Sequence, residues 1–297
     1  MSYPEATAKA AIEVQATVLE EYMVRNLGPS RQFLGIEMSR DEIRTRISLG
    51  QKASTTTILK WFGTEHSHGI LTPMDPNLNL DFADDWGEKE LEDITDYKAV
   101  VGSLMYTVIA IWPDIYYAVA TFSFYDLLPF TSHMTAAESV SQYLKSTANF
   151  PLHFNGNGID IGIDIGIDIG IDIGNSLFMY SDSDWANDSA DCKLQEAHGF
   201  HPSTGAIFWQ SRKQSLIAMS ALMAELIACQ VASWELKWLL QLQKDIDSKD
   251  RLLLPTKSNN QGALTLIMTA LIKPRTKHID VCYHNIRDLL RQRIVNH

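Results

Sequence analysis

"SLFMYSDSDW", residues 176–185, carries an apolar run into a polar end, the pattern of a strand whose last side chains leave the core. After a polar loop, "AIFWQSRKQ" (206–214) reads as a second strand. "SALMAELIACQVASWELKWLLQLQKDI" (220–246) then places Leu222, Leu226, Cys229, Ala232 and Leu236 at helical spacing, which predicts one long helix. "LLLPTKSNN" (252–260) is strand into loop, "QGALTLIMTA" (261–270) a short helix and "HIDVCYHNIRDLLRQRIV" (278–295) a closing helix. Strand, strand, helix, strand, helix, helix is an α/β order.

Upstream the pattern differs. Residues 5–25 are helix-prone, and Gly28-Pro29 breaks the run. "FLGIEMSRD" and "TRISLGQK" read as two strands around the polar turn Asp41–Arg44. "ASTTTILKWFG" is a short helix ended by Gly63, and residues 64–90 form a polar, acidic linker. "DITDYKAVVGSLMYTVIAIWPDIYYAVATFSFYD" (93–126) holds helical apolar runs on either side of Pro113. "TAAESVSQYLKST" (135–147) turns Val140, Tyr143 and Leu144 inward.

Between the halves stands "GIDIGIDIGIDIGIDIG" (158–174). Its isoleucines would share one face of a strand, with glycine and aspartate on the other. Its position at a junction, where insertion costs little loop entropy, favours an expanded linker with solvated aspartates. Charge divides at the same place: residues 176–297 hold 14 Lys and Arg against 12 Asp and Glu, and the first 175 hold 11 against 24. The overall net charge of -11 argues against a general nucleic-acid binder, but the C-terminal part escapes that argument. Three cysteines without a CxxC favour a reducing, intracellular setting, cytoplasmic or nuclear. Residues 1–15 lack the features of a signal peptide. No stretch of about 20 residues reads as a membrane span, the nearest being "SLIAMSALMAELIACQVASW" with Glu225 inside it.

Three carboxylates are candidates for chemistry. Asp182 ends the first strand, Glu225 sits within the apolar run of the long helix, and Asp280 opens the last helix. A carboxylate among buried positions needs a partner or a metal, so acids from a strand end and a helix interior could converge on divalent cations. The same spacing also fits a solvated loop Asp and a helix Glu at the edge of the core. Asp184 and Asp188 read as turn and cap residues. His278, Cys282 and His284 lack the second ligand pair of a zinc site, and His66 and His68 lie in an exposed loop.

The segments "NLGPSRQFLGIEMSRD", "ISLGQK", "YKAVVGSLMYTVIAIWPDIYYAV", "YLKST", "YSDSDWAND", "STGAIFWQSRKQ", "MSALMAELIA", "KSNNQGAL" and "PRTKHIDVCYHNIRD" occur in this order. Together they resemble the C-terminal part of a copia-type retrotransposon Pol polyprotein. The resemblance implies a reverse transcriptase remnant over 1–65, an acidic linker over 66–94 and a helical connection region over 95–155. The repeat linker would then fill 156–175. It further implies a ribonuclease H-like mixed α/β sheet with flanking helices over 176–297, preceded by a truncated thumb and connection region of α+β character.

On this resemblance Asp182, Glu225 and Asp280 are the catalytic, metal-holding acids, with Mg2+ or Mn2+ as cofactor. The family's aspartate in a "DN" pair is Asn259 here, a neutral amide in place of an anionic ligand. Met223 and Trp112 depart from the family's glutamate and arginine. The partners implied are an RNA–DNA hybrid and the rest of the polyprotein, with no membrane. Lys273, Arg275, Lys277 and His278, in the densest basic run, would contact the nucleic-acid backbone. No "YVDD"-like strand occurs, so DNA polymerisation by this polypeptide is not expected.

Overall fold

A computed structural model describes residues 17, 22, 30–41, 46–75, 78, 80, 89–155, 177–183, 194–202, 205–214, 218, 220–246, 254–257, 291 and 295–296. The repeat, the segment 5–25 apart from Thr17 and Tyr22, and the predicted helix 261–270 lie outside them.

The first sheet has the order β1-β2-β3-β4, antiparallel throughout, from β1 (Gln32–Phe33), β2 (Ile36–Arg40), β3 (Arg46–Gly50) and β4 (Leu152–Asn155). The predicted hairpin is β2 and β3, closed where Asp41 Oδ1 accepts the Arg46 N–H at 3.0 Å. Leu34 and Gly35 link β1 to β2 at φ 47° and 72°, the positive-φ pair of a tight hairpin turn. Leucine is strained there, and two bonds hold the turn: Tyr106 Oη–H to Leu34 O, and Ser54 Oγ–H to Gly35 O at 3.1 Å.

α1 (Lys52–Trp61) starts where Glu37 Oε1 accepts the Ala53 N–H at 3.1 Å, a negative charge against the helix N-terminus. It ends in a Schellman motif: Gly63, at φ 65°, bonds Lys60 O, and the Thr64 N–H bonds Leu59 O. α2 (Ile94–Ile111) is capped by Asp93, which accepts the Thr95 N–H at 2.7 Å. It stops before Pro113, and the chain turns through the 3-10 segment Pro113–Ile115 into α3 (Tyr116–Ser123). α4 (Thr131–Thr147) follows.

Tyr97, Leu104, Val108, Val119, Phe122 and Leu144 form the buried centre of these helices, and Ile36, Leu49 and Leu152 of the first sheet pack against it. Residues of the 1–65 and 95–155 segments therefore share one sheet and one core. The acidic segment between them is strapped on: Leu80 is buried in that core, and the Leu91 N–H bonds Pro129 O at 3.0 Å. Among the described residues α2, not the 215–234 region, is the helix long and apolar enough to cross a membrane by length and composition, with mean hydropathy 1.3. Seven of its residues are buried in the protein core.

The second sheet has the order β7-β6-β5-β8-β9, from β5 (Leu177–Ser183), β6 (Gln195–Pro202), β7 (Phe208–Lys213), β8 (Leu254–Lys257) and β9 (Val295–Asn296). β5, β6 and β7 are antiparallel neighbours, while β8 runs parallel to β5 and β9 parallel to β8. α5 (Ala221–Ile246) lies on β5 and β6, with Ala232 and Leu236 packed on Met179 and Phe200. β6 replaces part of the predicted polar loop, and Val295, expected to finish a helix, is strand. α3 covers the β7 side: Thr121 Oγ1 donates to Gln195 Oε1 at 3.2 Å, and Lys213 Nζ sits 5.2 Å from the Phe124 ring centre. Gly205 touches β4 so closely that a Cβ would fall 2.5 Å from His153 O.

Candidate paired-carboxylate site

β5 delivers Asp182 near the end of the sheet's central strand, where its side chain is exposed. α5 delivers Glu225 in its first turns, 5% exposed, from the face that also buries Leu226 and Cys229. The two carboxyls meet across the strand–helix junction. Burial, then the negative charge of Asp182, pushes Glu225 up to about 7; the backbone N–H of Ser183, bonding the carboxylate, pulls the other way. Glu225 Oε2 has no hydrogen-bond partner. At neutral pH Glu225 therefore either keeps a proton or calls for a cation beside it.

Polar groups continue beneath α5. Ser181 Oγ lies 3.0 Å from Cys229 Sγ, one helical turn beyond Glu225. Burial, and after it the Glu225 charge, pushes the Cys229 thiol up to about 11, so it stays protonated. Glu196, 2% exposed, faces Ser183 in the strand register, and Arg212 Nε donates to its Oε1 at 2.8 Å. His198 is 4% exposed, stacked on Phe208, and burial lowers it to about 4. Gln214, 1% exposed, donates through Nε2 to Ala224 O at 2.9 Å, immediately before Glu225 in the chain.

Of the predicted acids, the fold brings Asp182 and Glu225 together. Asp280, Asn259, Lys273, Arg275, Lys277 and His278 lie outside the described residues, as do Asp184, Asp188, Cys282 and His284. Among the described residues no group of three or more His, Cys, Asp and Glu could hold a metal ion. Glu196, His198 and Gln214 escaped the sequence reading. For Glu196 and His198 the signal is alternate burial along β6, but both are polar and look like surface, and Gln214, just past β7, carried none.

A mixed α/β sheet with an acid on its central strand, facing an acid on the helix that covers it, defines the class: an α/β domain built around a paired-carboxylate site. No family model matches the chain. Among curated proteins it is 28% identical to the "Retrovirus-related Pol polyprotein from transposon TNT 1-94" of Nicotiana tabacum, over 94% of this chain and 20% of that protein. It is 29% identical to the "Retrovirus-related Pol polyprotein from transposon RE1" of Arabidopsis thaliana, over 91% of this chain and 17% of that protein. It is also 30% identical to the "Secreted RxLR effector protein 161" of Plasmopara viticola, over 48% of this chain and 90% of that protein. Over 91–94% of its length the chain is thus similar, at 28–29% identity, to retrovirus-related Pol polyproteins of plant transposons. It spans about a fifth of the length of the Pol polyproteins it matches.

Proposed function

We propose that this is a piece of a copia-type polyprotein whose residues 176–297 form a ribonuclease H-like domain acting on the RNA strand of an RNA–DNA hybrid. Residues 1–65 are then a reverse transcriptase remnant, 66–94 its acidic linker, 95–155 the connection region and 156–175 the repeat linker. The observation that carries the reading is the Asp182–Glu225 pair, with one buried carboxylate oxygen left without a donor. Support also comes from the sheet order, three antiparallel strands followed by β8 parallel to β5.

The two described acids fit Mg2+ or Mn2+. Both present hard oxygen donors, and the orphaned Oε2 of Glu225 is the kind of atom a cation satisfies. Asp280 completes the set in this reading. When bound, the metal supplies Lewis acidity toward a phosphodiester. The protein's own part is to hold Glu225 in place through the Ser183 N–H and to keep Asp182 open to solvent. Lys273, Arg275, Lys277 and His278 engage the nucleic-acid backbone, and the rest of the polyprotein is the covalent partner. The setting is intracellular.

Asn259 favours an impaired enzyme, or at the limit an inactive relic with weak nucleic-acid binding, because an amide adds no negative charge against two repelling dications. The test is cleavage of an RNA–DNA hybrid by the full chain with magnesium, beside Asn259→Asp and Glu225→Gln. Slow cleavage that Asn259→Asp accelerates and Glu225→Gln abolishes is the expected result. Equal, robust cleavage with and without the restored aspartate removes the impairment. No cleavage even by Asn259→Asp removes the ribonuclease reading.

A further inference from the structure

We infer that Gln214 is a positioning residue: its side chain ties the end of β7 to the first turns of α5 and so sets where the Glu225 carboxylate stands. The inference rests on the paired-acid reading above for its purpose, and on geometry for its substance. Gln214 is anchored twice. Its backbone N–H donates to Leu194 O at 2.6 Å, at the start of β6, and its Nε2 donates to Ala224 O at 2.9 Å. It is 1% exposed, so neither bond competes with bulk water.

The link continues without a gap. Ala224 precedes Glu225 on the helix, and Glu225 accepts the Ser183 N–H from β5. One amide therefore joins the β6–β7 edge to the helix turn that meets the central strand. Around it, Glu196 is held by Arg212 Nε at 2.8 Å, and the Gln214 amide lies near enough to favour its charged form, while Glu196 Oε2 keeps no hydrogen bond of its own. Without the Gln214 donor, Ala224 O loses its tie to β7. The helix turn can then rotate by the fraction of an ångström that separates a held carboxylate from a loose one.

The Ser183 amide reports this directly, in the metal-free full chain. Gln214→Met keeps the side-chain volume and removes the donor; Gln214→Asn keeps an amide one methylene too short. For both, hydrogen exchange at the Ser183 amide should accelerate about tenfold, the loss of roughly one hydrogen bond's worth of protection. The Phe200 amide, in the interior of the same sheet, should change far less. Equal acceleration at Ser183 and Phe200 marks a merely structural role and overturns the inference, as does unchanged Ser183 exchange in both variants. Titration of the unsubstituted chain with Mn2+ addresses the metal reading separately. A missing saturable site removes that reading, and the exchange result still decides whether Gln214 positions Glu225.

Discussion

Trp209 donates its indole Nε1–H to the carbonyl of Val108 at 2.9 Å, tying the edge strand β7 to the last turn of α2. The bond crosses between the helical core of the first unit and the second sheet. Gln195, held by Thr121 on α3, crosses nearby. Trp209→Phe keeps an aromatic ring and removes the donor. It should destabilise the full chain by about 1 kcal/mol in urea unfolding, because a partly buried acceptor loses its partner. An unchanged midpoint would mean that the units do not lean on each other there.

The Glu196–Arg212 pair should respond unequally to its two deletions. Glu196 is 2% exposed and Arg212 47%. Arg212→Ala strands a buried carboxylate and should cost about 3–5 kcal/mol, or force Glu196 to take up a proton. Glu196→Gln leaves a guanidinium that can turn to water, and its cost should stay near 1 kcal/mol. Chemical denaturation of both variants at neutral pH compares them, and equal losses would contradict the asymmetry.

Two buried groups should tilt the pH dependence of stability in opposite directions. Glu225 rises from 4.5 to about 7, so the folded state holds more protons than the unfolded one in that window, and stability falls as pH rises through it. His198 falls from 6.5 to about 4, so the unfolded state holds more protons there, and stability is lost as pH drops from 6.5 to 4. Between pH 4.5 and 6.5 the two slopes oppose each other. His198→Phe should expose the decline caused by Glu225, at most about 3 kcal/mol in total. Glu225→Gln should expose the rise caused by His198. Denaturation midpoints from pH 4 to 8 read both.

His133 should prove to be the fastening of the acidic strap. It is 1% exposed; its Nδ1 accepts the Phe130 N–H at 2.9 Å, which leaves Nε2 as donor to Leu80 O at 3.1 Å. His133→Phe keeps a ring beside Tyr125 and strips both polar partners. A loss of about 2–4 kcal/mol is expected, with faster proteolytic cutting within 76–90 than elsewhere. Cutting spread evenly along the chain would point to general loosening of the fold.

What was legible in the sequence follows from where the apolar residues fall. The β2–β3 hairpin, α1, α2, α4 and α5 bury hydrophobic faces with the right period, and Gly63 and Pro113 end elements where they should. β6 was hidden because its buried face carries Glu196 and His198 before Phe200, so strict alternation in burial has no counterpart in hydropathy. Asp182 and Glu225 stood out as acids in apolar surroundings. Gln214 could not, since nothing in a lone glutamine says that it will be enclosed. Leu80 was lost inside an acidic stretch whose composition outweighed one anchoring side chain.

β4 reaches β3 from far along the chain: Ser48 Oγ and His153 Nδ1, 2.8 Å apart, are separated by 105 positions. During synthesis the N-terminal hairpin must therefore wait, with one side of β3 unpaired, until α1 to α4 have emerged and the chain returns. An open strand edge left waiting is a template for the wrong neighbour. For a polypeptide released from the ribosome, the helices between Lys52 and Thr147 thus act as timekeepers as well as core, and any substitution that slows their collapse lengthens the interval of exposure.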